Sequence, residues 1–228
     1  VAKSRPTETA GEGPLLGPLH GGRHNLPRDV VAFNQRERML SAVASVVAGQ
    51  GYNKMTVANI TEVASVSRRV FYEQFSGKEA AFLAAYDAVD GHLVSLLAEA
   101  ADEGSDWAGQ VVAVLTELTR FFAAHPDVAR LYLVEAAVVG EGTAARREES
   151  AERLIALLSE GRKQKLEGGA PSAGIEEGLV GGVMTMLGRR VAAGEVEQLE
   201  RFAPAAIEFV TTPYLGPTTA RRIASGEA

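Results

Sequence analysis

Phe33, Leu40, Val43 and Val47 recur at spacings of three, four and seven residues, the period of a helix buried along one face. They predict a helix starting near Pro27 or Asp29 and ending at Gly49–Gln50–Gly51, where glycine suits a helix C-terminus. Thr56 is placed to cap a short second helix whose Val57, Ile60 and Ala64 share a face, and which stops near Ser65–Val66. Ser67 is placed to cap a third helix reaching about Phe75, with Val70, Phe71 and Phe75 turned inward. Ser67, Arg68, Arg69, Tyr72, Glu73 and Gln74 then fall on outward or flanking positions. Ser76 and Glu79 have the spacing of a capping box, which predicts a fourth helix through Phe82, Leu83, Tyr86 and Val89 to about Ala101.

The second half reads as about five longer helices. Ser105–Asp106 caps Trp107 to Ala124, and Pro126 opens a helix to about Val139. Thr143 to Leu166 is charged and amphipathic, and Glu167 to Gly174 is a loop. Ile175 to Ala193 and Glu197 to Thr212 complete the body, with Pro213 ending the last helix. Residues 1–25 are rich in Gly and Pro and read as a flexible tail; residues 216–228 read as a polar one. No repeat and no sustained heptad is present.

Composition agrees with an all-α fold. Ala and Leu dominate, and stretches alternating at period two are absent. The absence of cysteine removes disulfides, thiolate zinc sites and a cysteine nucleophile. His20 and His24 are four apart but lie in the Gly/Pro-rich tail, so no metal site and no cofactor are expected. No apolar stretch reaches the roughly 20 residues a membrane helix needs, and no signal sequence is evident, so a cytoplasmic protein is expected.

The net charge of −6 counts against nucleic acid until its distribution is considered. Between His20 and Ala80, eight Lys/Arg face five acids, a local charge of +3, which leaves −9 on the remainder. A basic N-terminal module on an acidic body is the asymmetry of a nucleic-acid binder.

Two short helices joined by a tight turn, the second with a polar outer face, fit a helix-turn-helix. The second helix of such a pair fits the DNA major groove. Arg68 and Arg69 at its start are placed for paired bonds to guanine, with Ser67, Glu73 and Gln74 as further base-contact candidates. Thr56, Tyr72 and Lys78 are candidates for phosphate contact. Arg23 and Arg28 read as tail, the alternative being a minor-groove arm.

The ordered set Gly51–Tyr52, Thr56–Val57–Ala58–Asn59–Ile60, Ala64–Ser65–Val66–Ser67 and Phe71–Tyr72–Glu73–Gln74–Phe75–Ser76–Gly77–Lys78–Glu79 resembles the DNA-binding domain of the TetR (tetracycline-repressor-like) family, over about Arg36 to Tyr86. The resemblance implies that Tyr72 and Lys78 match phosphate-contacting positions and that Ser67, Arg68, Arg69, Glu73 and Gln74 vary with the operator. One departure stands out: Ser65 occupies the usual turn glycine. If its φ is positive, serine costs roughly 1 kcal/mol there.

The resemblance further implies a helix-turn-helix domain (26–80), an effector-binding and dimerisation domain (81–215), a homodimer on double-stranded operator DNA, and a small-molecule effector. Candidates for the effector pocket are Trp107, Phe121, Phe122, Tyr132, Glu135, Met184 and Met186. For Glu135 the alternative is the polar stripe of an amphipathic helix, paired with Arg130 or another base, and for the others ordinary core. Candidates for the dimer interface are Gly178, Gly181, Gly182, Leu199, Phe202 and Phe209, the glycines because they let another helix approach. The leading reading is therefore a repressor released from a palindromic operator by an effector. The competing ones are a helical adaptor that binds only proteins, and an enzyme on a helical scaffold, although no catalytic signature is present.

Overall fold

A computed structural model describes residues 28–163 and 171–226. Among them are helices and no strand. The helices are α1 (Arg28–Gln50), α2 (Val57–Val63), α3 (Arg68–Gln74), α4 (Lys78–Glu103), α5 (Trp107–Ala124), α6 (Pro126–Arg130), α7 (Ala136–Val139), α8 (Glu141–Glu160), α9 (Ile175–Ala192) and α10 (Leu199–Ala224). A π-helical turn, Leu131–Glu135, joins α6 to α7, and short 3-10 turns follow α8 and precede α10. Arg23 and the N-terminal tail lie outside the described residues.

The N-terminal core is built from residues at the expected spacings. Met39, Val43 and Val47 of α1, Ile60 of α2 and Phe71 of α3 are all fully buried, together with Phe82 of α4. Phe33 does not join them. It lies a turn and a half before Met39 and is 62% exposed, because α1 packs against its neighbours only from its middle onward.

The caps follow expectation at two helices and depart at a third. Thr56 Oγ1 accepts the Asn59 N–H at 3.2 Å, and Ser67 Oγ accepts the Val70 N–H at 3.2 Å. The capping box predicted at Ser76 is not formed. Gly77, with extended backbone, is the N-cap of α4, so Ser76 stands one residue too early to reach the free N–H groups.

The body packs α5 between α4 and α10, with α8 and α9 side by side. Contrary to the expectation from the sequence, α4 is long and apolar enough by composition to cross a bilayer, with mean hydropathy 1.3 over its most apolar stretch. Its surroundings are those of a packed helix. Asp87 is paired with Arg146 and Asp90 with Arg153, both on α8.

The C-terminus also differs from expectation. Residues 217–224 are not a polar tail: α10 continues past Pro213, breaks at Gly216 (φ 73°) and resumes to Ala224. Pro217 follows the break, where a missing N–H leaves no helical bond unmade. Ala220 is fully buried, and Arg221 Nε donates to Glu208 Oε1 at 2.8 Å across the break. A second polar tie binds α9 to its neighbours. Arg162 reaches the buried Glu176 at 2.7 and 2.9 Å, and the Tyr214 hydroxyl donates to the same carboxylate at 3.1 Å. The Arg162 guanidinium holds the Glu176 carboxyl below the usual range, while burial, then this carboxylate, pushes the Tyr214 hydroxyl up.

Candidate nucleic-acid interface and effector cavity

The helix α3 presents Arg68, Arg69, Tyr72 and Glu73 to solvent, with Ser67 exposed at its start and Gln74 half-buried. Its other side holds Phe71 and Phe75 in the core. Seven residues with one anchored face make a short, rigid rod whose outer face is free. Arg69 Nε donates to Glu73 Oε1 at 2.9 Å, one turn on, and Tyr72 rests edge-on against Phe71 at 5.4 Å. Arg68 makes no ion pair among the described residues.

The turn between α2 and α3 carries a strain that the sequence foreshadowed. Ser65 has φ 52°, the one non-glycine residue with positive φ among those described. Ser65→Gly is expected to raise stability by about 1 kcal/mol, because glycine adopts this backbone without a Cβ penalty. Chemical denaturation would show a higher midpoint with an unchanged slope; a lower midpoint would mean that the serine side chain compensates for the strain.

Two of the proposed phosphate anchors are otherwise engaged. The Lys78 ammonium donates to the carbonyls of Tyr52 (3.2 Å), Asn53 (3.4 Å) and Met55 (3.2 Å) and lies over the Tyr52 ring at 4.6 Å. An ammonium has three protons, so Lys78 here clamps the α1–α2 turn rather than reaching outward. The Thr56 hydroxyl is likewise occupied, donating to Asn59 Oδ1 at 2.6 Å while accepting from the Asn59 N–H. Tyr72, 57% exposed, is the phosphate candidate whose side chain points freely outward.

A cavity of about 990 Å³ opens between α4, α5, α8, α9 and the π turn. Its apolar wall includes Leu93, Leu97, Leu118, Leu154, Val180 and Met184. Exposed side chains of both signs border it: Arg147, Arg153 and Arg189 with Glu148, Glu152 and Glu177. At its polar end Asp90 accepts from the hydroxyls of Tyr132 (2.7 Å) and Ser150 (2.5 Å). Tyr132 stacks on Tyr86 at 4.6 Å, and burial raises the pKa of both hydroxyls.

Of the pocket residues expected from sequence, Tyr132 and Met184 line this cavity. The others have different positions. Trp107 is buried beneath α8, its indole N–H donating to the Leu157 carbonyl at 3.0 Å. Phe121 and Phe122 are core residues of α5, and Met186 packs on the core from the far side of α9. Glu135 is buried, but it points toward the N-terminal domain rather than the cavity. The wall supplied by α4 and α8 went unread because Leu and Val at helical spacing look the same facing a core or a void.

The dimer candidates divide in the same way. Gly178 and Gly181 are exposed on α9, and Phe209 of α10, 40% exposed, lies over Gly182. Leu199 and Phe202 are buried in this chain's own core, the latter under the Arg190 guanidinium at 3.8 Å, so they present no free surface.

The architecture and the module both have known counterparts. Residues 39–85 match the family model of bacterial regulatory proteins, tetR family. No curated protein sequence matches the chain. Among solved structures, the fatty acid degradation regulator FadR from Bacillus halodurans is similar at TM-score 0.69 and 15% identity, over 85% of this chain and 96% of that one. FadR from Bacillus subtilis, solved in complex with stearoyl-CoA, is similar at TM-score 0.66 and 16% identity, over 78% and 97%. A TetR family transcription regulator from Marinobacter aquaeolei VT8 is similar at TM-score 0.61 and 20% identity, over 78% and 97%. At these identities the structures establish a shared fold, while the match over residues 39–85 identifies the helix-turn-helix that the fold displays. Residues 39–85 thus match the module of bacterial regulatory proteins of the tetR family, set in a chain whose fold is shared with solved TetR-family regulators.

Proposed function

We propose that the protein is a repressor that binds a palindromic operator as a homodimer and releases it when a small molecule enters the cavity. The observation that carries this reading is the presence in one chain of an outward-facing α3 and a roomy, apolar-walled cavity in the body. Arg68, Arg69, Glu73 and Gln74, with the rim of Ser67, are the side chains assigned to base edges, and Tyr72 is assigned to phosphate. The second subunit is assigned to the exposed faces of α9 and α10, at Gly178 and Phe209, where the small residue permits close approach, while Gly181 lines the cavity. The functional division remains a helix-turn-helix domain of residues 26–80 and a body beginning at 81, with the body extended to 224.

The effector assigned to the cavity is an amphiphile with a long hydrocarbon body. The cavity falls at the upper end of the volumes typical of ligand sites, its wall is apolar, and its charged border lets a polar head remain in water. That the similar Bacillus subtilis FadR is solved with stearoyl-CoA supports the same class.

Selection of bound fragments from a random DNA pool tests the first part. An inverted repeat with half-site centres about one helical turn, or a multiple of it, apart is expected. The absence of any enriched sequence would remove the operator reading. Titration of the resulting complex with stearoyl-CoA, against coenzyme A alone, tests the second. Release by the acylated compound alone is expected; release by neither would remove the acyl-chain class and leave the operator intact.

A further inference from the structure

Glu135 is only 6% exposed, yet its carboxylate leaves the helical body to which it belongs. Its Oε2 accepts the backbone N–H of Tyr52 at 3.0 Å, in the turn that joins α1 to α2. Its Oε1 faces Arg130 Nη2 at 3.4 Å. The same turn is gripped from its other side by Lys78, through the carbonyls of Tyr52, Asn53 and Met55. The segment that sets α2 relative to α1 is thus held by one side chain at its N–H and by another at its carbonyls.

Glu135 ends the π-helical turn, in which the Ala136 N–H bonds back to the Leu131 carbonyl. A π turn carries an extra residue relative to the α-helix around it, so a small displacement can return it to α-helical register and swing its last side chain. The three residues before Glu135, Tyr132 to Val134, line the cavity. Gly188 of α9 lines it too, and its missing side chain leaves room for the Leu133 carbonyl; a Cβ there would sit 3.1 Å from that oxygen. One short segment therefore touches the cavity with its middle and the DNA-binding domain with its end.

We propose that Glu135 is the positioning residue that connects the cavity to the helix-turn-helix. With the π turn in this register, its carboxylate fixes the α1–α2 turn and, through it, the seat of α3. A molecule that pushes the π turn from the cavity side withdraws the carboxylate and frees the turn. This rests on the reading of the protein as an effector-controlled DNA binder and gives that control a route.

The experiment uses the full chain and needs no effector. Hydrogen–deuterium exchange of the segment 51–56 is measured alongside affinity for DNA selected from the random pool. Glu135→Ala is expected to speed exchange at the Tyr52 amide by about tenfold and to weaken DNA binding by a similar factor, as for loss of a hydrogen bond to a charged group. Exchange in α5 should be unchanged. Glu135→Gln, which keeps an acceptor, should retain most of the protection and the affinity, and serves in place of the alanine variant if that one does not fold. Gly188→Ala, or the larger Gly188→Val, wedges the Leu133 carbonyl. Either should reproduce both effects, and should add nothing further in the Glu135→Ala background. Unchanged Tyr52 exchange in Glu135→Ala, or additive effects of the two substitutions, would overturn the proposal. Failure to select any DNA would count against the regulator reading, while the exchange arm would still decide the role of Glu135.

Discussion

Replacing Arg68 and Arg69 together by alanine is expected to lower affinity for the selected operator by about a hundredfold or more, since each bidentate contact to guanine contributes roughly 1–3 kcal/mol. Both side chains stand at the start of α3, where a helix lying in the major groove first reaches base edges. Arg69 is 89% exposed, and its bond to Glu73 is a surface pair, worth about 0–1 kcal/mol, so exchanging it for a contact to DNA costs little. The folded state should be unaffected, because neither arginine supports the core. The pattern of loss distinguishes two roles. If the arginines read bases, binding to the selected operator falls far more than binding to random DNA. If they contact phosphate, both fall together and the salt dependence becomes shallower by about one unit per lost contact. Fluorescence anisotropy at two salt concentrations separates the cases, and wild-type binding by the double variant would remove α3 as the recognition helix.

Gly161→Leu is expected to cost about 3 kcal/mol of stability, at the upper end of what overpacking a well-filled interior usually costs. Gly161 follows α8 where the chain crosses directly over Trp107, and a Cβ there would overlap the indole's six-membered ring. The indole has nowhere to retreat. Its N–H is bonded to the Leu157 carbonyl, and its ring meets that of Tyr214 at a tilt of 57°, centroids 4.8 Å apart. Tyr214 is in turn bonded to the buried Glu176, whose charge is held by Arg162. Expelling Trp107 therefore loosens α5, α8, α9 and α10 together. For a chain of this size the melting temperature should drop by roughly 6–12 °C, as circular dichroism or calorimetry would record. Gly91→Ala, on the exposed side of α4, is the control. A Cβ there meets nothing within 4 Å, and alanine favours the helix, so stability should hold or rise slightly. A Gly161→Leu variant that melts like the wild type would mean that Trp107 does not occupy this seat.

The two predictions fall on parts of the chain that differ in how readily they can be read. Ser67 to Phe75 was legible because a local rule sufficed: one capping residue, three apolar side chains on one face and polar ones on the other. The question of a positive φ at Ser65 came from the resemblance, which places a glycine at that turn, and the structure answers it with 52°. Sequence failed where a side chain chooses among partners far along the chain. Lys78 read as a phosphate contact, but the partners its ammonium takes in this chain lie 23 to 26 residues earlier. Glu135 read as a pocket acid or as a polar stripe paired with Arg130; the Arg130 pair is present at 3.4 Å, but the carboxylate also bonds a backbone group 83 residues away.

What the sequence by itself determined is the helical class, the order of the helices, the caps at Thr56, Ser67 and Asp106, and the polar outer face of α3. Each depends on contacts within a turn or two of one helix, where spacing along the chain equals distance in space. Only the tertiary structure decided that Trp107 and Phe122 fill the core, that the leucines of α4, α5 and α8 wall a cavity, and that Glu135 bonds the turn between α1 and α2. Apolar burial is non-directional, so a leucine stripe satisfies a core and a cavity wall equally well. Which it becomes depends on how far apart the packed helices finally lie.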